Sequence, residues 1–181
     1  IDGFILKSKS PCCGIKDVKI YPKGEKSSIS KAGNGFFSKK VMEKYNKLPI
    51  EDEGRLKNYS IRDEFLTKIF IINSLKFEKN IFDFHNKNSL LLKSYNSEIS
   101  EELEILINKK EVNIEDIELY KKKVYEVLEG KRNKRSNIDI SKKIFDIYKE
   151  RLNENEINYF EKLLVLYEEE KISFNSLKIA L

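Results

Sequence analysis

The sequence predicts a mainly α protein: an all-α helical bundle of about six helices preceded by a truncated α/β remnant. From Ser60 onward apolar residues recur every three to four positions, which turns one stripe of each helix toward a core. The earlier residues instead show short apolar runs divided by polar loops, proline and glycine, the pattern of short strands. With 181 residues, 40% hydrophobic and 36% charged, the chain can bury a core beneath a heavily charged surface and lacks the composition of a disordered polymer. The change of pattern divides it into an α/β part, residues 1–57, and a helical part, residues 58–181.

Residues 3–7, with Phe4, Ile5 and Leu6, and residues 16–21, where Val18 and Ile20 alternate with lysines, read as strands joined by a turn at residues 8–14. A polar loop ends in Gly33-Asn34-Gly35, and residues 36–46 read as a short helix. Residues 48–54 read as a linker, because proline and glycine interrupt any regular period. Ser60 with Asp63 three residues later reads as the capped start of a helix whose face carries Phe65, Ile69 and Ile72. Further helices are expected over residues 78–95, 98–109 and 114–129, the last with Ile117, Val124 and Leu128 in one stripe and Gly130 as its stop. Beyond a basic loop at residues 131–135, Ile140, Ile144, Ile147 and Leu152 mark another. Asn153 and Glu156 cap one carrying Ile157, Phe160, Leu164 and Tyr167, and residues 173–181 begin a last helix with Leu177 and Leu181 on one side. The chain opens at Ile1 and stops within a helical pattern, so both ends read as truncated. Neither an internal repeat nor a sustained heptad is visible.

Lysine and arginine outnumber acids 35 to 30, a net +5. The signs alternate along the expected helix faces, which describes a solvated surface and leaves nucleic acid as an open partner. No apolar run approaches the roughly 20 residues of a membrane helix, and the opening residues lack the basic and apolar regions of a signal peptide. A cytoplasmic protein with no membrane partner is expected. Cys12 and Cys13 are the only cysteines. They cannot form a disulfide framework, and neighbours bond to each other only through a strained ring with a distorted peptide, so a reducing compartment is expected. Taken alone, they read either as inert thiols in a turn or as reactive groups.

Other candidates carry weaker signals. Gly33-Asn34-Gly35 before a helix either cradles an anion or serves as a connector, the commoner use of such loops. His85, the single histidine, reads as a hydrogen-bonded helix residue. Glu101, Glu102 and Glu104 near a helix start favour its dipole. Lys131, Arg132, Lys134 and Arg135 form the densest basic cluster, a candidate anion or nucleic-acid contact that no aromatic residue interleaves. No Ser/His/Asp set, phosphate loop or paired metal motif is present.

Three segments, in order, carry a resemblance. Gly3-Phe-Ile-Leu-Lys-Ser-Lys-Ser-Pro-Cys-Cys-Gly14 resembles the third cysteine motif of the 2-thiouracil desulfidase family, usually Lys/Arg-Ser-Pro-Ser-Cys-Gly after a buried strand. Gly33-Asn-Gly-Phe-Phe, Met42-Glu-Lys-Tyr and Leu48-Pro-Ile-Glu-Asp-Glu-Gly-Arg-Leu56 are similar to the segment that closes this domain in YbgA-like two-domain proteins. Phe65-Leu-Thr-Lys-Ile-Phe70 and Phe84-His-Asn-Lys-Asn-Ser-Leu-Leu-Leu92 resemble the opening of the YbgA C-terminal helical domain. There the usual reading is Phe-His-x-x-His-Lys-x-Leu-Leu-Met-x-His-Ser, so Asn88 and Tyr95 stand in place of two histidines.

The resemblance implies a four-iron four-sulfur cluster held by three cysteines, with one iron open to the sulfur of a thiolated nucleobase or related compound. Cys13 matches a cluster ligand. Ser10 matches a serine near the substrate, where a hydroxyl orients it or relays a proton. Pro11 stiffens the turn and Gly14 permits close packing beneath the cluster. Cys12 stands where the family usually has serine and is given no ligand role. The family's other two cysteine motifs and its glutamate motif belong to an N-terminal half that residues 1–181 do not contain. That half is therefore the first expected partner, and this chain alone is not expected to bind the cluster. For the helical domain the resemblance supplies no reaction. The whole therefore reads in two ways: part of a cluster-dependent desulfidase with an accessory helical domain, or a helical module that binds protein or RNA through residues 131–135 without catalysis.

Overall fold

The structure, a computed structural model, describes residues 1–21, 23–24 and 30–179. The middle of the expected polar loop and Leu181 lie outside the described residues. The protein is mainly helical, and its packing divides into two compact units, residues 1–84 and residues 85–181.

In the first unit, strand β1 (Phe4–Leu6) pairs in parallel with a strand at Ile50–Asp52, Phe4 opposite Ile50 and Leu6 opposite Asp52. Between them in sequence, β2 (Val18–Ile20) and β3 (Ser30–Gly33) form an antiparallel pair, followed by α1 (Phe36–Lys44). The strand at Ile50–Asp52, β4, corrects the expected linker. Its Glu51 and Asp52 hide it from any apolar alternation, because both carboxylates serve the next turn instead. Asp52 is buried and its side chain accepts the Arg55 N–H at 2.8 Å, while Glu51 pairs with the Arg55 guanidinium at 2.7 Å.

Helix α2 (Tyr59–Phe77) is capped two positions earlier than the reading from Ser60: the Asn58 side chain accepts the Ile61 N–H at 3.2 Å. Phe65, Ile71, Ile72 and Leu75 are its buried residues, with Ile69 half-buried. Ile69 lies against Gly3, where an added Cβ would stand 2.5 Å from Ile69 Cδ1. Asp2 accepts from Lys76 at 2.6 Å and from Asn73 at 3.2 Å, so the helix is tied to the segment that opens β1.

Helix α3 (Ile81–Tyr95) follows a break at residues 78–80 and carries the division between the units, which falls between Phe84 and His85. In the second unit the helices are α4 (Ser97–Ile107), α5 (Ile114–Glu129), α6 (Lys134–Tyr148), α7 (Glu154–Glu168) and α8 (Phe174–Lys178). Asparagine begins four of them: Asn96, Asn113, Asn133 and Asn153 each accept a backbone N–H three residues on. Asn113 with Asp116, and Asn153 with Glu156, close full capping boxes, in which two otherwise orphaned donors are satisfied reciprocally.

Helices α4 and α5 pack together, and Leu103, Leu106, Ile107, Tyr120, Val124, Val127 and Leu128 are their buried hydrophobic residues. A second cluster joins Phe145, Phe160, Leu164 and Leu177 from α6, α7 and α8, with the two phenyl rings stacked at 4.2 Å. The stripe expected through Ile147 is shifted: Ile147 is 63% exposed, and Ser141 and Phe145 are the buried residues of α6. Among the described residues no helix is long and apolar enough to cross a membrane.

Leu103 is fully buried in α4 while Ile105, two positions on, is 67% exposed. Leu103→Ala is expected to lower stability by about 2–5 kcal/mol through lost burial and a residual cavity, and Ile105→Ala to stay within about 0.5 kcal/mol of the parent. Urea unfolding followed by circular dichroism separates the two.

Candidate functional site

Strand β1 delivers the chain into the cysteine turn. Lys9 adopts a left-handed φ of +57°, which reverses the backbone, and Ser10 then organises the residues after it. Its hydroxyl oxygen accepts the N–H groups of both Cys12 and Cys13 at 3.2 Å, and its carbonyl accepts the Gly14 N–H at 2.8 Å. A hydroxyl has two acceptor lone pairs and one proton. With both lone pairs engaged, Ser10 keeps its proton to donate and is poorly placed to act as a base. The Cys12 thiol is exposed and that of Cys13 half-buried; both are free. The Cys13 thiol is pushed above its ordinary pKa, first by hydrogen bonding with Cys12 and then by burial, with Ser10 opposing.

The other wall of the turn is the start of α1, which has no side-chain cap. Carbonyls of the turn do that work. Pro11 O accepts from Phe36 at 3.2 Å, Cys12 O from Phe37 at 2.8 Å and Ser38 at 3.3 Å, and Gly14 O from Gly35 at 2.8 Å. The buried Ser38 hydroxyl reaches Gly14 O at 2.7 Å and Gly35 O at 2.9 Å. These bonds decide between the two uses of Gly33-Asn34-Gly35. The amides that would cradle an anion already hold the cysteine turn, and the Asn34 side chain donates to Ile15 O at 2.8 Å. Gly35 is required by close approach, since a Cβ there would sit 2.3 Å from Cys12 O. Gly14 is required in the same way, its added Cβ meeting Val18 Cγ2 at 2.4 Å and Ser10 O at 2.8 Å.

Beyond β4, Glu53 fixes the entry to the turn. Its carboxylate accepts the Ser8 N–H at 2.7 Å and the Ser8 hydroxyl at 3.2 Å, and pairs with Lys7 at 2.9 Å. The Lys7 ammonium, and next the Ser8 amide, hold its carboxyl down at about 2. Sequence reasoning missed Glu53, Ser38 and the specific task of Gly35. The Glu51-Asp52-Glu53 run was the available signal, but which carboxylate reaches the turn depends on the parallel register of β1 and β4.

One motif thiol with an adjacent second thiol is the donor set at the turn. Among the described residues no group of three or more His, Cys, Asp or Glu side chains is placed to hold a metal ion. Cys13 fits a single ligand position, and the residues present do not fit a whole four-iron cluster.

His85 lies elsewhere, buried, with Nδ1 at 2.9 Å from the hydroxyl of the buried Tyr120. Burial pulls the imidazole below its ordinary pKa, partly opposed by Glu104, and burial pushes the Tyr120 phenol far up. A neutral pair joined by a hydrogen bond inside a core is a structural arrangement. Glu101 and Glu102 lie past the first turn of α4 and pair with Lys93 and Lys123, so ion pairing replaces the expected dipole role.

In the basic cluster, Lys134 and Arg135 form the first turn of α6, which shortens the expected loop. The Arg132 guanidinium covers the Tyr95 ring at 5.4 Å and Lys134 pairs with Glu170 at 3.0 Å, whereas Lys131 and Arg135 are exposed. The cluster and the cysteine turn belong to different units.

Gly35→Ala is expected to push the start of α1 off the Cys12 carbonyl, costing about 1–3 kcal/mol and raising the rate at which an aromatic disulfide reagent titrates the two thiols. For Glu53 the folded carboxyl is depressed from 4.5 to about 2, so its contribution is present above the unfolded value and is lost as pH falls through about 2. Because Glu53 is part-exposed, the effect is modest and screened by salt. The Ser8 amide resonance should titrate near 2 in the parent and show no such titration in Glu53→Gln; a midpoint near 4.5 contradicts the clamp.

Residues 1–53 match the family described as 2-thiouracil desulfurase. Residues 89–181 match the family described as protein of unknown function, DUF1722. Together they make the YbgA-like two-domain arrangement, with the cysteine turn in the first segment and most of the helical unit in the second. No curated protein and no solved structure matches the chain. Since the second match spans more than half of its length, the chain belongs to the DUF1722 family, with a 2-thiouracil desulfurase-like segment ahead of the family's helical domain.

Proposed function

We propose that this chain is part of a cluster-dependent desulfidase acting on thiolated nucleobases or related sulfur compounds, in which Cys13 is one of three cysteine ligands and the helical unit is an accessory. The observation that carries the reading is the turn itself: Cys13 sits in a Ser-Pro-x-Cys-Gly sequence whose backbone is bonded to Ser10 on one side and to α1 on the other. A thiolate ligand held by such a frame loses little conformational entropy on metal binding.

When bound, a four-iron four-sulfur cluster supplies a soft thiolate-ligated centre with an iron able to accept sulfur. This chain's own contribution is more limited. Cys13 provides one sulfur ligand, Ser10 provides a hydrogen-bond donor for the substrate, and the remaining ligands come from polypeptide outside residues 1–181. The same reading places the protein in a reducing cytoplasm, where free vicinal thiols persist.

Anaerobic reconstitution with iron and sulfide tests it. Residues 1–181 alone should retain far less than a full cluster. Expression with the sequence that precedes them should give about four iron and four sulfide per chain, reduced by Cys13→Ser. A longer protein whose cluster is unchanged by Cys13→Ser overturns the assignment.

A further inference from the structure

The cluster reading assigns no task to Cys12, yet its thiol is free and exposed, next in sequence to the free, half-buried thiol of Cys13. Two adjacent thiols have three outcomes: they remain a dithiol, they oxidise to a disulfide, or they close on one soft atom. The frame around them opposes the second. A disulfide needs Cα atoms about 4.4–6.8 Å apart and sulfurs at about 2.05 Å, whereas consecutive Cα atoms across a trans peptide lie at about 3.8 Å, so closure requires the intervening peptide to twist. That peptide is held on both sides. Cys12 O carries the Phe37 and Ser38 amides, the Cys13 N–H is bonded to Ser10, and Gly35 is packed against the Cys12–Cys13 link.

The third outcome asks for no such twist. A three-coordinate pyramidal centre bonded to both sulfurs holds them well beyond the S–S bond length, so two neighbouring side chains reach it by rotation about their own bonds. The donor set also selects the guest. Two sulfurs without a third His, Cys, Asp or Glu among the described residues cannot complete a four-ligand zinc site, and they offer no oxygen cage for a hard cation. A centre that needs two sulfurs only, its remaining valence already filled, is what fits.

We propose that Cys12 and Cys13 form a vicinal dithiol site for a single thiophilic centre of the monosubstituted trivalent arsenic type. The bonding step balances without an oxidant. An arsenoso compound R–As=O exchanges its oxide for two thiolates, forming two As–S bonds, and the two thiol protons leave with the oxygen as water. Arsenic stays trivalent and neither sulfur is oxidised.

The test uses phenylarsine oxide with the full chain under anaerobic conditions, read by intact-mass spectrometry and by competition with a small dithiol. One adduct per chain, formed with loss of one water and displaced by the dithiol, is expected. Cys12→Ser and Cys13→Ser should each weaken it by about 100-fold or more, because removal of either sulfur abolishes the chelate. Circular dichroism checks that both variants fold, which the backbone-only bonding of the turn favours. No adduct on the parent, or parent-like affinity in either folded variant, overturns the proposal. Such a result leaves the cluster reading standing, since that reading requires Cys13 alone.

Discussion

The Cys12 carbonyl is the interaction on which the rest of the first unit depends. A helix begins with amides that have no partner within it, and a tight turn leaves carbonyls in the same condition. Here each deficit answers the other: Cys12 O takes Phe37 and Ser38, Pro11 O takes Phe36, and Gly14 O takes Gly35. The arrangement leaves α1 without need of a capping side chain and fixes the turn on a nine-residue helix. It also explains why glycine stands at 35, where any side chain would meet the acceptor carbonyl. The thiols are thereby mounted on a braced turn, which is what a ligand or chelate site requires.

Both units bury an apolar core and differ in what surrounds it. In the first, where Leu6, Val41, Phe65, Ile71, Ile72 and Leu75 are buried, long-range polar contacts also link the short strands to their surroundings: Ser8 with Glu53, Asp2 with Lys76, and Ser38 with Gly14. In the second, the apolar α4–α5 pair and the stacked Phe145–Phe160 cluster dominate, with asparagine at the helix starts. His85 and Tyr120 are a hydrogen-bonded polar pair within that core. Each would be costly to bury alone, and each supplies the other's hydrogen bond.

This difference accounts for what could be read from the sequence. The helices of the second unit were legible because capping and periodicity are local: Asn153 with Glu156 and Gly130 after Glu129 are recognisable from a few neighbouring residues. Ile147 was misplaced because an isoleucine at helical spacing counts toward a stripe whether or not a neighbour covers it. Strand β4 was missed for the opposite reason. Its acidic residues answer to Arg55, and its pairing partner lies at the far end of the unit in sequence. At the site, Ser10 and Cys13 were legible through their motif, while Glu53, Ser38 and Gly35 act through register and close approach, which leave no local pattern.

The structure also bears on position 12, where the 2-thiouracil desulfidase motif that this turn resembles reads serine. Every bond that residue 12 makes to the frame is a backbone bond: its N–H to Ser10 and its carbonyl to Phe37 and Ser38. Its exposed side chain is therefore free to change without disturbing the turn. Cys13, whose N–H also bonds to Ser10, is half-buried beside it. The turn is consequently set by two separable choices, a backbone geometry that holds position 13 in place and a side chain at position 12 that decides whether the turn carries one thiol or two.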